Sequence, residues 1–260
     1  VEKKRYTIIA RPDEVSAQIQ RNAEEELQNA GFIRDDANAD YGFIIGGDGT
    51  FIYAVHQWFY RLKKMQLYGI HTGTLGFYTD YRDSDYREFM DKFFAGDFEE
   101  VTYPLLHVDV KGVMVHHAIN EVRIENPGRT QKIDVYVDGE YFETFRGTGL
   151  LVCTQLGSTA YNRSIGGSVI QEGLNLIEMA EIAGIHHAKA RSLYAPIILK
   201  DTVHIVWKSE SFKGALLGTD SSVYPLDDAT EIEIYTCPEE WVRMLRGRKV
   251  SYFDRLKSLF

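Results

Sequence analysis

At 260 residues the chain is long enough for two domains, and its 44% hydrophobic and 26% charged residues are the proportions of an ordinary globular protein. A net charge of −9 excludes a general nucleic-acid or anionic-membrane binder, because both partners demand a basic surface. The two cysteines, Cys153 and Cys237, lie far apart without metal-ligand spacing, which sets aside a disulfide framework and favours a reducing cytoplasm.

In chain order, Tyr6–Ala10 reads as a strand, and Pro12 opens a helical stretch that runs to Asn29 and stops at Gly31. Glu24, Glu25 and Glu26 form a charge run that reads as a solvated helix face. Tyr41–Ile45 is a second apolar strand, ending in Gly46-Gly47-Asp48-Gly49-Thr50. Phe51–Leu62 follows at helical spacing, then a buried-type strand at Leu67–Ile70. Repeated strand, loop and helix units predict a parallel sheet covered by helices. Beyond about residue 100 the segments become short and β-rich: Leu105–Val110, Met114–Ile119, Lys132–Val137, Leu150–Thr154, Ile197–Leu199, Val203–Val206 and Ile232–Tyr235. Val137-Asp138-Gly139-Glu140 carries a tight-hairpin signal. The expected fold class is therefore an α/β domain over 1–100 followed by a mostly β domain over 101–260, with Ser251–Phe260 a candidate helix returning to the first domain. No secretory signal and no apolar run of about 18 residues is read.

Three glycines around Asp48 allow backbone amides to converge on a phosphate, and the following helix adds its N-terminal dipole. A carboxylate repels phosphate, so Asp48 makes chemical sense as an acceptor of a hydroxyl proton or as a holder of Mg²⁺. The plain alternative is a tight turn with Asp48 capping the helix. Neither a Walker A lysine nor the spaced glycines of a dinucleotide fold are present. His71-Thr72-Gly73-Thr74-Leu75-Gly76-Phe77 leaves the next strand at what should be the same sheet edge. There Phe77 is either a wall for a base or ribose or a core residue.

A third constellation is Gly157-Ser158-Thr159-Ala160-Tyr161-Asn162 with Ser164 and Gly166-Gly167. Small hydroxyls beside backbone amides suit a base and its sugar, and Tyr161 offers a stacking face. Asn120-Glu121 adds an amide and a carboxylate suited to a ribose diol. This ordered set, together with Phe145–Leu150 (FRGTGL), resembles the NAD kinases over essentially the whole chain. Diacylglycerol and sphingosine kinases share GGDG, which leaves a lipid kinase as an alternative, but not the GSTAY segment.

The resemblance implies a Rossmann-like N-terminal domain, a β-sandwich-type C-terminal domain, and transfer of phosphate from ATP or polyphosphate to the adenosine ribose 2′-hydroxyl of NAD. It implies that Asp48 is the catalytic carboxylate and that Gly46, Gly47, Gly49 and Thr50 form the phosphate loop. Phe77, Asn120, Glu121, Thr159, Ala160, Tyr161 and Ser164 would bind NAD, with Ala183 and Ile185 meeting the ligand of a neighbouring subunit in a homotetramer. It also implies a divalent metal, Mg²⁺ with ATP. Thr148 stands where the family most often carries Asp, Ser221 where close relatives carry His, and Cys153–Leu156 departs from the usual Ser-Thr-Pro-Ser/Thr. An alternative is therefore a weakly active or inactive NAD(P)-binding homologue. Neither His116-His117 nor His186-His187 has a third ligand at recognised spacing, so no protein metal site is expected. Arg243, Arg246, Arg248 and Lys249 form a basic cluster, read as solvated or intersubunit.

Overall fold

The computed structural model describes residues 4–74, 76–186 and 191–260. It forms two compact units, Val1–Tyr103 with Trp241–Phe260, and Pro104–Glu240.

The first unit alternates strand and helix: β1 (Arg5–Ala10), α1 (Glu14–Asn29), β2 (Ile33–Arg34), β3 (Tyr41–Ile45), α2 (Asp48–Gln57), β4 (Gln66–His71), β5 (Tyr81–Arg82) and α3 (Tyr86–Ala95). The strands pair in parallel in the order β2, β1, β3, β4, β5. Asp13 caps α1 by accepting from the Ser16 amide at 3.0 Å. Ile19, Ala23 and Leu27, four residues apart, give that helix one buried stripe. On α3, Phe89 and Phe93 meet Phe43 edge-on, and Phe43 stacks on Tyr68 with ring centroids 5.5 Å apart. Each such aromatic pair adds about 0.5–1.5 kcal/mol beyond the area it buries. Gly96 stops α3 with φ 69°, a left-handed C-terminal cap.

The second unit is mostly β: β6 (Glu99–Val110), whose first residues belong to the first unit, β7 (Met114–Ala118), β8 (Glu121–Glu125), β9 (Gln131–Val137), β10 (Glu140–Thr154), the short α4 (Tyr161–Ser164), β11 (Leu176–Gly184), β12 (Ile197–Lys200), β13 (Ile205–Lys208), β14 (Leu216–Thr219), β15 (Ser222–Pro225) and β16 (Glu231–Arg246). Within the unit β15, β14, β8, β10, β9, β13 and β16 pair in that order, β11 joins β10, and β12 joins β11. β6 pairs with both β16 and β7. Alternate residues of these strands, among them Leu106, Ile124, Val135, Val152, Trp207 and Ile234, share one apolar core. The last residues of β16 and α5 (Tyr252–Lys257) belong to the first unit.

This α/β unit followed by a mostly β unit is the fold class expected from sequence, with local differences. α2 begins at Asp48 itself and ends at Gln57, and Phe59–Arg61 is a separate 3-10 turn. Leu150–Thr154 is only the end of the 15-residue β10. The hairpin turn holds: Asp138 and Gly139 take φ 50° and 82°, the left-handed pair that a two-residue turn requires. The Glu24–Glu26 run is not uniformly solvated. Glu24 pairs with Arg34, Glu26 accepts from the Tyr86 hydroxyl at 3.0 Å, and only Glu25 is exposed.

Candidate active site

In the first unit the glycine loop joins β3 to α2. Gly47 precedes the helix in extended conformation, and the Phe51 and Thr50 amides donate to its carbonyl at 3.1 and 2.9 Å. At Gly46 a Cβ would overlap the Thr50 side chain, so that position demands glycine. Gly49 differs: open space faces it, and sterics within the chain do not require it. Asp48 is the first helical residue, but its carboxylate does not cap its own helix. It reaches the loop after β4, where the Phe77 amide donates to both oxygens at 3.1 and 3.0 Å and the Tyr78 amide donates to Oδ1 at 3.2 Å. A Cβ at Gly76 would overlap both Asp48 oxygens. The glycine of the second motif thus clears the space that the carboxylate of the first occupies. Leu75, within that second motif, lies outside the described residues.

His71, at the end of β4, is buried beside Gly47, and burial lowers its pKa. Phe77 is itself buried and meets Tyr252 edge-on at 6.3 Å. The 76–80 loop is pinned by arginines from the end of the chain. Arg255 donates to the carbonyls of Gly76 and Thr79, both at 2.7 Å, and pairs with Asp80. Arg246 donates to the Phe77 carbonyl and to Asp80, both at 3.1 Å. Two members of the basic cluster, Arg246 and Arg248, are therefore engaged with carboxylates of the first unit. Arg248 pairs with Asp85 and Glu88, Arg243 with Glu100, and only Lys249 is exposed. Arg255 carries no motif that marks it in the sequence.

In the second unit Asn120 and Glu121 stand at the start of β8, both buried. The Asp220 carboxylate, from the β14–β15 turn, accepts the amides of Ile119, Asn120 and Glu121 at 3.0, 2.8 and 3.2 Å. Asp220 itself takes φ 51°, a strained conformation for a residue with a Cβ. Burial, reinforced by Asp220, pushes the Glu121 carboxyl up to about 8, and its Oε2 has no hydrogen-bond partner among the described residues. At neutral pH Glu121 is thus a proton donor as well as an acceptor.

The 157–164 segment packs directly against that strand start. A Cβ at Gly157 would overlap the Asn120 backbone, and the Thr154 amide donates to the Asn120 carbonyl at 2.9 Å. Thr159 and Ser164 use their hydroxyl protons on the carbonyls of Leu156 and Tyr161, leaving their oxygens as acceptors. Ala160 follows the turn that Ser158 braces through its bond to the Gln155 carbonyl. One face of the Tyr161 ring lies 4.6 Å from the Arg123 guanidinium, and its hydroxyl donates to Glu125 at 2.7 Å.

Thr148 is half-buried in β10, and its carbonyl accepts from the Asn126 amide and the Gln131 side chain. Its neighbours Gly147 and Gly149 are required by backbone crowding from β11 and β8. Ser221 is exposed in the β14–β15 turn. Ala183, with φ 47°, and Ile185 are exposed at the end of β11, and the Ile185 amide donates to the Arg146 carbonyl at 2.7 Å.

The His116-His117 pair is divided between the two faces of its strand. His187 lies outside the described residues. His116 stacks on Tyr224 at 3.9 Å, while His117 faces the opposite way and meets His107 and Glu240. His107 and Glu240 come from other strands, β6 and β16, which a spacing rule applied to the adjacent pair cannot detect.

A model of the ATP-NAD kinase N-terminal domain matches residues 4–98, and one of the C-terminal domain matches residues 119–247. The chain is 33% identical to NAD kinase 1 of Bacillus cereus, with 98% of each chain covered. It is 32% identical to an NAD kinase of Staphylococcus carnosus, covering 98% of this chain and 97% of the relative. Among solved structures it resembles yeast NADH kinase complexed with NADH, with TM-score 0.79 and 19% identity over 99% of this chain and 86% of the other. It also resembles an NAD kinase from Archaeoglobus fulgidus in complex with ATP, with TM-score 0.77 and 20% identity over 98% and 99% of the chains. Matched from end to end by relatives above 30% identity and by both domain models in order, this chain belongs to the NAD kinase family.

Proposed function

We propose that this enzyme transfers the terminal phosphoryl group of ATP, with polyphosphate a second donor, to the adenosine ribose 2′-hydroxyl of NAD. The observation that carries this reading is the Asp48 carboxylate, oriented by the amides of Phe77 and Tyr78 in a glycine loop at a helix N-terminus. These amides leave a lone pair free on Oδ2, which takes the 2′-hydroxyl proton as that hydroxyl's oxygen bonds to the terminal phosphorus and the bond from that phosphorus to the departing ADP or shortened polyphosphate oxygen breaks. The open space at Gly49 and the start of α2 receive phosphate oxygens. Asn120, Glu121, Thr159, Ala160, Tyr161 and Ser164 bind the dinucleotide, with the unpaired Glu121 Oε2 available to a sugar hydroxyl. Phe77, buried, contributes its backbone by orienting Asp48.

The donor set of the loop, carboxylate oxygen without nitrogen or sulfur, fits Mg²⁺, which takes one or two carboxylates and otherwise phosphate oxygens and water. Asp48 would hold it as the alternative to its role as proton acceptor, and a bound ion would neutralise charge on the phosphates. A tetramer is supported by apolar side chains exposed on the second unit, Ile185, Leu193 and Tyr194, beside Ala183. Both cysteines are free, which supports a reducing cytoplasm. No helix among the described residues is long and apolar enough to cross a membrane. Purified protein with NAD, Mg²⁺ and ATP or polyphosphate should form NADP. Light scattering should give a mass well above 29.8 kDa. Absence of NADP with either donor would leave the weakly active dinucleotide-binding alternative.

A further inference from the structure

Three strands of the second unit bring two imidazoles and one carboxylate to a single point. His107 on β6 and His117 on β7 are direct cross-strand partners, so both side chains project from the same face. Glu240 arrives from β16, the strand on the other side of β6. The three facing atoms form a nearly equilateral triangle. His107 Nδ1 and His117 Nε2 are each 3.0 Å from Glu240 Oε2, and the two nitrogens are 3.1 Å apart.

Hydrogen bonding alone cannot satisfy this triangle. Each facing nitrogen carries at most one proton and an ionised carboxylate carries none, so at most two protons serve three close edges. Some pair of electron-rich or proton-bearing atoms is always left face to face. A cation at the centre satisfies all three at once. With metal–ligand bonds of about 2.0–2.1 Å, edges of this length subtend about 95° at the ion, between octahedral and tetrahedral values. One face of the ion is then protein and the other is open to water. The three side chains retain 15%, 14% and 23% exposure, enough for an ion to enter and too little for bulk water to compete at every ligand. The His107 ring stacks on Tyr235 with centroids 4.6 Å apart, and this fixes the direction of Nδ1.

We propose that His107, His117 and Glu240 bind one divalent first-row transition-metal ion of the zinc type, at a site distinct from the Asp48 loop and from its hard, oxygen-bound Mg²⁺. Two imidazoles and a carboxylate select a borderline-soft ion, whereas Mg²⁺ seeks oxygen and water. The ion joins β7, β6 and β16 side by side, so its binding stabilises the second unit.

The test needs neither nucleotide nor activity. Chelator-stripped protein is titrated with Zn²⁺ by calorimetry, and with Co²⁺ while the visible spectrum is followed. One equivalent should bind with Kd below about 10 μM. His107→Asn, His117→Asn and Glu240→Gln should each weaken binding at least about 10-fold, because each removes one of three ligands. At a hundredfold excess over Kd, Zn²⁺ should raise the unfolding temperature by at least about 3 °C. Because strand variants can lose their fold, ring-nitrogen NMR of the unsubstituted protein gives an independent readout. Zn²⁺ should shift His107 Nδ1 and His117 Nε2. Weaker binding than this limit, binding unaltered in a folded His107→Asn/Glu240→Gln double variant, or shifts confined to other histidines would each overturn the assignment.

Discussion

The Asp48 carboxylate occupies the volume that a side chain at Gly76 would need, 28 residues further along the chain. The amide that follows Gly76 then holds both carboxylate oxygens, so one loop clears the space and supplies the donor.

That relationship makes two substitutions equivalent. Asp48→Asn removes the proton acceptor and should lower turnover by at least about 10²-fold, the low end for a positioned general base, with little change in NAD affinity. Gly76→Ala displaces the same carboxylate without altering its chemistry and should also cost about 10²-fold. Steady-state rates of both single variants and the double variant test the link. The double variant should be hardly slower than Asp48→Asn, and additive losses would show that Gly76 acts elsewhere.

Arg255 and Asp80 form an ion pair with both side chains almost fully buried, and Arg255 also donates to the carbonyls of Gly76 and Thr79. Arg255→Met leaves those acceptors without their donor and should destabilise the first unit by about 3 kcal/mol. Arg246 and the Gly247 amide still serve Asp80, which keeps the loss at the low end for a broken buried pair. Urea unfolding measures it, and a loss within about 0.5 kcal/mol of zero would contradict the assigned role.

Glu121 supplies a pH dependence with a definite sign. Its native pKa of about 8 lies above the ordinary 4.5, so the folded protein holds this proton more tightly than the unfolded chain. The stabilisation associated with that proton is complete below about pH 4.5 and is lost as pH rises through 8. Glu121→Gln, neutral throughout, should flatten the fall in stability across that window. Carbon-detected NMR should place the Glu121 midpoint near 8 in the ligand-free protein, and Asp220→Asn should lower it by removing the adjacent charge. An ordinary midpoint would mean that water reaches the carboxyl.

Thr148 offers a neutral hydroxyl at a position where the sequence resemblance implies a carboxylate. A hydrogen bond to a charged group nets about 1.5–3 kcal/mol, and part of it survives with threonine, so Thr148→Asp should bind NAD about 5- to 30-fold more tightly. The backbone there already serves Asn126 and Gln131 through the Thr148 carbonyl, which the substitution leaves in place. Calorimetric titration of NAD into both proteins decides the matter. Equal or weaker binding by the aspartate variant would indicate a pocket rebuilt around threonine.

What the sequence determined by itself is local and periodic. Apolar runs specified the three inner strands of the α/β unit, β1, β3 and β4, the Asp138-Gly139 pair specified its hairpin, and short alternating segments marked the β-rich half. These signals are legible because each depends on neighbours within one turn or one strand. The ordered motifs from Gly46 to Gly167 likewise announced the family, since each is contiguous. Tertiary structure alone decided which distant groups share a charge or a proton. Asp220 holds amides about a hundred residues away, Arg255 reaches back to Asp80, and His117 meets His107 and Glu240 instead of its neighbour His116. The basic run near the C-terminus looked solvated for the same reason: its acidic partners lie on other elements. Sheet register and chain return create these contacts, and side-chain spacing along one segment carries no record of them.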